Sequence, residues 1–413
     1  MNKNRIVICA TTLFDGKSKS KSDNVYITVE GDKIVEVSKE KKEYDFFGVV
    51  TPAFIDAHSH IGMERQGEPY QEGETNDHSG QIQPTLNPLN SIYFDDRAFE
   101  EAVDFGVLYS CIVPGSGNIL GGKAFVIKNF SKNRRDAVIK DYGYKMALGY
   151  NPRSTTSWKG ERPNTRMGVY SLIEDKFDTL LNKKAKALLS KEKKINELEN
   201  KIKEKNLDKE SIEKEKRIIN TEYELEFSPE DLALLEILER KKTVKVHVHK
   251  EDDALYLIDI VKKYNIKVTA DHVCDVTDID VFNELAKAGI DVVYGPLGSL
   301  DYKVELKHAH YSNTKNIMDS KAFFGLMTDH PVILSSNLRE SLKYFLIQGM
   351  SEETAISLIT YKNAKILGLE DELGAIETGK TASLIVWNNN PFYLGAYPEV
   401  VIGEGKILRN KKL

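Results

Sequence analysis

Eight short apolar runs recur along the middle of the chain, with helical or polar segments between them. The runs are the candidate strands AFIDAHSH, GVLYSCIVP, GKAFVIKNF, YKMALGY, TVKVHVH, IKVTADHV, DVVYGP and FFGLMTD. Between them, stretches such as DDALYLIDIVKKY and TDIDVFNELAKAG carry apolar residues at helical spacing and lead into the next strand. This alternation predicts an α/β fold with a (β/α)8 barrel of the TIM type over residues 51–373. The third run, GKAFVIKNF, is the least typical because it follows closely on the second.

Both ends of the chain have a β-rich sequence. Residues 1–50 contain RIVICATTLF and NVYITVEGDKIVEV, and residues 374–413 contain TASLIVWNNN and EVVIGEGKIL. β-branched and aromatic residues favour strands, and Gly with Asp favours the turns between them. We therefore expect the two ends to pair in one small β-sandwich-like domain.

A segment of about residues 183–220 differs in composition, because Lys and Glu dominate it. Leu188, Ile195, Leu198 and Ile202 recur at helical spacing, and a break is expected near residues 206–208. The pattern predicts a solvated helix or helical hairpin inserted into a barrel loop. A partner-binding coiled coil would need more heptads than this segment has.

The composition excludes several classes of protein. The net charge is -5 and the pI is near 6.1, so no basic surface for nucleic acid or anionic lipid is expected. The three cysteines form no CxxC pair, which is typical of a reducing compartment, and no run reaches the roughly 18 apolar residues of a membrane span. We expect a cytoplasmic protein. A homo-oligomer is compatible with the sequence, since dimers are common among soluble enzymes.

Six of the nine histidines fall in three H-x-H pairs, which are His58/His60, His247/His249 and His308/His310. Side chains two residues apart on a strand point to the same face, and imidazole is a common zinc ligand. An isolated pair of this kind would be explained as well by a polar loop. The first two pairs, however, end the first and fifth candidate strands, while His272 ends the sixth and Asp329 the eighth. The carboxyl ends of barrel strands meet at one mouth, so these side chains are predicted to converge there.

This arrangement resembles the amidohydrolase superfamily. The stretch TPAFIDAHSH is similar to the barrel entry of that superfamily, and NAKILGLEDELGAIETGKTASLIVWNNNPF to its barrel exit. The loops VPGSGNILGGKAFVIK, ALGYNP and MTDHPVI look most like its imidazolonepropionase-related and prolidase-like branch. The resemblance covers nearly the whole chain apart from the Lys/Glu-rich segment.

The resemblance implies a divalent metal centre, with zinc expected and one or two ions per chain. The metal ligands that it implies are His58, His60, Lys145, His247, His272 and Asp329. Lys145, in GYKMALGY, matches a lysine that is carbamylated and bridges two ions in some members, and a structural lysine beside a single ion is the alternative. His249 points the same way as His247 and is expected to lie behind the ligands or face the substrate.

The implied activity is hydrolysis of a C–N bond in a small molecule or dipeptide, either an amide or a cyclic amide. Asp329 would take a proton from metal-activated water and pass it to the leaving amine. The alternatives are a mononuclear deaminase or imidazolone-ring hydrolase, and a non-catalytic binding protein on the same fold. Substrate contacts are expected from His249, Arg153, Arg166 and His308, although solvated loop charges would explain the last three as well.

Overall fold

The computed structural model describes residues 5–155, 158, 162–205, 207–299 and 303–411. Its strands are β1 (Arg5–Leu13), β2 (Ser22–Glu30), β3 (Lys33–Ser38), β4 (Phe46–Pro52), β5 (Phe54–Ser59), β6 (Val107–Ile112), β7 (Leu120–Lys128), β8 (Val138–Ala147), β9 (Thr243–Val248), β10 (Val268–His272), β11 (Asp291–Tyr294), β12 (Phe324–Leu326), β13 (Leu384–Trp387), β14 (Pro398–Gly403) and β15 (Lys406–Asn410). Its α-helices are α1 (Arg97–Asp104), α2 (Arg134–Ala137), α3 (Arg166–Lys205), α4 (Lys209–Leu225), α5 (Pro229–Leu238), α6 (Glu251–Tyr264), α7 (Ile279–Lys287), α8 (Thr314–Asp319), α9 (Lys343–Ile347), α10 (Glu352–Leu358) and α11 (Tyr361–Ile366). Short 3-10 helices lie in the loops at Tyr70–Glu72, Pro88–Asn90, Asn151–Ser154, Val304–Leu306, Tyr311–Asn313 and Ser335–Leu342.

The strands β5 to β12 form one eight-stranded sheet in sequence order, and all eight predicted barrel strands lie in it. Regular pairing stops between β12 and β5, where the sheet is nearly closed. Asn363 on α11 spans this gap, because its Nδ2 donates to the carbonyl oxygens of Ile55 (2.6 Å) and Leu326 (2.7 Å). The barrel is therefore closed partly by a buried side chain.

The third barrel strand departs from the (β/α)8 prediction. β7 runs antiparallel to both β6 and β8, whereas the other neighbouring pairs in the sheet are parallel. The connection from β6 to β7 is only residues 113–119, which is too short for the helical crossover that a parallel strand requires. The expectation of eight parallel strands is wrong at this position, although the strand itself is present.

The ends of the chain share a second sheet of seven strands, in the order β15-β14-β13-β4-β1-β2-β3. Its core includes Ile8, Ile27, Val50, Leu384 and Val400, all fully buried. Pro52 ends β4 and Phe54 begins β5, so the chain passes almost directly from this sheet into the barrel. The strands form one hydrogen-bonded sheet, and the bounds 1–50 and 374–413 for an independent domain stay a prediction.

The Lys/Glu-rich segment forms an antiparallel pair of helices, α3 and α4, in the connection between β8 and β9. It is longer than the predicted 183–220, because α3 already begins at Arg166. Residue 206, within the predicted break, lies outside the described residues, and Asp208 caps α4 by accepting from Ser211 N. Lys194 and Glu222 form an ion pair at 2.8 Å across the hairpin. In the part of the chain that the structure describes, no helix is both long enough and apolar enough to cross a membrane.

Candidate metal centre

The candidate ligands lie where the barrel strands end. His58 belongs to β5, Lys145 to β8, His247 to β9 and His272 to β10, and Asp329 follows β12. His60 and His249 lie two residues beyond His58 and His247, just past the ends of β5 and β9. The structure therefore brings together all six predicted metal ligands, with His249 beside them.

The first group consists of His58, His60 and Asp329, whose ligand atoms all lie within 4.8 Å of one another. Asp329 Oδ1 is 3.1 Å from His60 Nε2 and 3.4 Å from His58 Nε2. We call these three residues cluster 1. Separations of this size allow one cation to contact all three side chains.

The second group, cluster 2, consists of His247, His249 and His272, again with ligand atoms within 4.8 Å. The buried atoms His249 Nδ1 and His272 Nε2 have no hydrogen-bond partner among the described residues. A buried polar atom without a partner is costly, and a bound cation would satisfy both. The structure thus places His249 with two expected ligands, closer to the centre than the sequence suggested.

Lys145 lies beside cluster 1, and the two clusters adjoin. Its side chain is fully buried, and Nζ is 3.2 Å from His58 Nε2. The ring centroids of His58 and His272 are 5.1 Å apart, which joins cluster 1 to cluster 2. Burial lowers the pKa of Lys145 to about 8. The amine is therefore much closer to its neutral form at pH 7 than an exposed lysine would be.

Neighbouring groups fix which nitrogen of each imidazole faces the centre. His60 Nδ1 donates to Val113 O at 2.7 Å, and His272 Nδ1 donates to Gly295 O at 2.9 Å. A carbonyl can only accept, so both Nδ1 atoms carry hydrogen, and Nε2 is the nitrogen of each ring that can offer a lone pair to a metal ion. This is the usual arrangement around metal-bound histidines, whose other nitrogen donates to a fixed acceptor.

Two candidate ligands have unusual backbones. His272 has a φ of +82° and Asp329 a φ of +52°, although neither is glycine. Such values are strained for residues with a Cβ and persist only where the surrounding structure holds them. Asp329 N donates to His58 O at 3.1 Å, which ties this strained residue to β5.

The charges of the clusters suit a divalent cation. Burial lowers the pKa of His58, His249 and His272 well below the ordinary value, and that of His247 to about 4. Burial alone would raise the pKa of Asp329, but His60, His58 and Lys145 hold it well below its ordinary value. Neutral imidazoles and a carboxylate are the forms that bind metal ions. The residues present therefore fit a divalent metal ion.

Sequence reasoning missed several buried residues around the clusters. Asp271 Oδ2 lies 2.6 Å from His58 Nδ1, and Lys245 Nζ lies 2.9 Å from the same oxygen. Glu305 Oε1 lies 3.4 Å from His247 Nε2, and Ser116 Oγ lies 2.9 Å from His247 Nδ1. Lys245 could have been found from its spacing, since it lies two residues before His247. Glu305 and Ser116 come from loops whose course the sequence does not reveal.

Three predicted substrate contacts have other partners. Arg153 Nε donates to Gly149 O at 3.0 Å, and Arg166 forms an ion pair with Asp252 at 3.0 Å. The side chain of His308 is 56% exposed, and its backbone amide donates to Asp275. Each of these contacts is with a residue that belongs to neither cluster.

A cavity of about 250 Å³ opens beside the clusters. His249 and Asp329 form part of its wall, so it reaches both clusters. Other wall residues are mostly aromatic or apolar and include Tyr294, Leu297, Leu306, Tyr311, Val332 and Tyr344. The cavity can therefore hold a small molecule next to the candidate ligands.

Histidines and an aspartate at the strand ends of a barrel are typical of a class of metal-binding barrel proteins. Comparison with known families places the chain in such a class. The model of the Amidohydrolase family matches residues 166–408, more than half of the chain. The chain belongs to the amidohydrolase family. This confirms the resemblance found in the sequence.

The chain is also similar to individual proteins. The chain is 25% identical over 390 residues to the amidohydrolase tasK of Hapsidospora irregularis, and the match covers 90% of this chain but only 37% of that protein. An amidohydrolase from Thermotoga maritima MSB8 has a similar crystal structure, with a TM-score of 0.83 and 28% identity over 98% of this chain and 100% of that one. A prolidase solved with N-methylphosphonate-L-proline shares the fold, at a TM-score of 0.58 and 12% identity over 98% and 100% of the two chains.

Proposed function

We propose that the protein is a metal-dependent hydrolase that cleaves a C–N bond, in an amide or cyclic amide, of a small molecule or dipeptide. The observation that carries the proposal is the pair of adjoining clusters, with two unpartnered imidazole nitrogens, at the end of a cavity. Membership of the amidohydrolase family supports the reaction class.

We assign two divalent ions, with zinc the first candidate, to clusters 1 and 2. Lys145 would join the two sites as a carbamate. In that reaction the neutral amine adds carbon dioxide, a C–N bond forms and one proton is released. The burial of Lys145, its lowered pKa and its position 3.2 Å from His58 Nε2 support this role. Histidine-rich sites also suit manganese, iron or cobalt.

When bound, such ions acidify water and polarise the carbonyl under attack. The chain supplies the proton transfers through Asp329, which is held as a carboxylate and can therefore accept a proton. The same carboxyl group would then give that proton to the departing amine nitrogen. Its strained backbone and its bond to His58 O keep the carboxylate fixed between the ligands and the cavity.

The cavity indicates how a substrate would lie. Its aromatic and apolar wall would hold the part of the substrate away from the scissile bond, while His249 and Asp329 face the bond itself. We do not assign a substrate contact to Arg166, because Asp252 already holds it. The guanidinium of Arg153 is bonded to Gly149 O and the side chain of His308 is mostly exposed, so we assign a substrate contact to neither of them.

The test is turnover of a panel of N-acyl amino acids, dipeptides and cyclic amides by protein that has been stripped of metal and then reconstituted. We expect hydrolysis only after metal is restored, and a loss of about 10²–10⁴-fold in Asp329→Asn. Asp319→Asn is the matched control, since Asp319 is exposed and pairs with Lys315. Undiminished turnover without metal, or in metal-loaded Asp329→Asn, would refute the proposal. Deamination by a protein with one ion would select the mononuclear alternative.

A further inference from the structure

We propose that Asp271 is a positioning residue that fixes the tautomer and orientation of His58, and that Lys245 holds Asp271 in place for this purpose. The inference rests on the proposed function in one respect, which is that His58 binds a metal ion. Lys245 and Asp271 form a buried ion pair beneath the ligands. Metal binding by the ligands does not by itself explain this pair, and the proposal gives it a role.

The contact between Asp271 and His58 determines the direction of the imidazole. Asp271 Oδ2 lies 2.6 Å from His58 Nδ1, and both side chains are fully buried. An ionised carboxylate can only accept, so Nδ1 must carry the hydrogen and Nε2 the lone pair. That Nε2 faces Lys145 Nζ at 3.2 Å and Asp329 Oδ1 at 3.4 Å, on the side of cluster 1.

Two further groups hold the carboxylate of Asp271. Thr269 Oγ1 donates to Asp271 Oδ1 at 2.6 Å. Lys245 Nζ lies 2.9 Å from Oδ2 and also 5.6 Å from the ring centre of Tyr142, and its contact with Asp271 is an ion pair that is not aligned as a hydrogen bond. Both oxygens are thus occupied, and the carboxylate has little freedom to rotate away from His58.

The strand geometry explains how Asp271 reaches the barrel interior next to His272. Consecutive residues on a strand normally point to opposite faces. Here β10 ends at His272, whose φ of +82° breaks the alternation. Asp271 keeps the direction of Thr269, with which it is hydrogen-bonded, and contacts His58, while the positive φ of His272 lets that side chain join cluster 2.

Stability alone is a poor reason for this arrangement. A buried ion pair loses hydration on both partners, and well-packed apolar residues are often as stable or more stable in its place. A carboxylate that orients a metal-binding histidine, by contrast, typically contributes 10–100-fold to metal affinity. The position of Asp271 against His58 Nδ1 favours the second explanation.

The first test uses the unaltered chain. In metal-free protein labelled with ¹⁵N-histidine, we expect His58 to appear as the Nδ1–H tautomer. His60 is an internal control, because Val113 O fixes its tautomer independently of Asp271. An Nε2–H tautomer at His58 would overturn the proposal, and this result requires no variant to fold.

The second test removes the whole pair, so that no buried charge is left alone. Lys245→Met/Asp271→Leu should fold, populate both His58 tautomers and bind one of two Zn²⁺ ions 10–100-fold more weakly in calorimetric titration. The ion at cluster 2 should bind as before. Unchanged His58 spectra with two unchanged affinities would overturn the proposal. If the wild-type protein bound no Zn²⁺, the proposed function would fail instead, so the two failures are distinguishable.

Discussion

Lys145 and Lys245 are direct register partners on the neighbouring strands β8 and β9, and both side chains are fully buried. Their ammonium groups nevertheless have different surroundings. Lys245 Nζ lies 2.9 Å from Asp271 Oδ2, whereas Lys145 Nζ lies 3.2 Å from His58 Nε2 at the edge of cluster 1. The barrel thus contains one lysine that is paired with a carboxylate and one that faces the candidate ligands.

If Lys145 forms the carbamate that we propose, Lys145→Met should remove the group that would join two ions. We expect a loss of more than about 10²-fold in turnover and weaker binding of at least one ion, because both sites would lose a carboxylate donor. After incubation with ¹³C-bicarbonate, the wild-type protein should give one carbamate resonance, which Lys145→Met lacks. Lys287→Met, at a lysine that is exposed on α7, is the control and should keep the resonance. A carbamate signal that survives in Lys145→Met would assign the modification to another lysine.

Asn363→Ala should weaken the closure of the barrel. The substitution leaves the carbonyl oxygens of Ile55 and Leu326 without the donor that now reaches both. Each buried carbonyl that loses its partner costs about 1–3 kcal/mol, so the free energy of unfolding should fall by about 2–6 kcal/mol. Urea denaturation measures this change. The exposed Asn389→Ala should stay within about 0.5 kcal/mol, and an equally small effect at Asn363 would contradict the closure role.

Leu198→Asp should loosen the packing of helix α3 against helix α4 without changing the metal centre. Leu198 on α3 is only 3% exposed and Ile219 on α4 only 6%, so a charge at this position would be buried. Amide hydrogen exchange should become faster in α3 and α4, while metal content and turnover stay at wild-type levels. Leu189→Asp, at a side chain that is 58% exposed, is the control. Loss of metal from Leu198→Asp would show that the hairpin supports the centre.

Arg166→Ala should leave kcat/KM within about twofold of wild type. The guanidinium lies at the start of α3 and pairs with Asp252, and both side chains are more than a third exposed. The exposed pair with Asp252 contributes about 0–1 kcal/mol to stability, and the buried Asp253, 3.9 Å from the same guanidinium, keeps its hydrogen bond from Tyr170. A KM that rises tenfold or more would restore the substrate contact that the sequence suggested.

The elements with strong local patterns were predictable from the sequence. The eight barrel runs stand out because buried strands need continuous apolar residues, and the hairpin because its charged residues alternate with apolar ones at helical spacing. The H-x-H pairs at strand ends predicted the convergence of His58, His60, His247 and His272, because two-residue spacing fixes a common face.

Features that depend on the relation between distant segments were not predictable in the same way. The direction of β7 depends on how a short loop turns back. The position of His272 in cluster 2, directly after the inward-facing Asp271, depends on its own positive φ, which the sequence does not show. His249 lies beyond the last residue of β9. Its place in cluster 2 therefore depends on the path that the chain takes after the strand, which the sequence does not show.

The proposed metal centre is tested by the metal content of the purified protein, determined by mass spectrometry after dialysis against Zn²⁺ and removal of the excess. We expect two ions per chain, falling to one in His247→Ala/His249→Ala and to one in His58→Ala/His60→Ala, since each double variant removes one cluster. Two ions that persist in either variant, or none in the wild-type protein, would contradict the proposal.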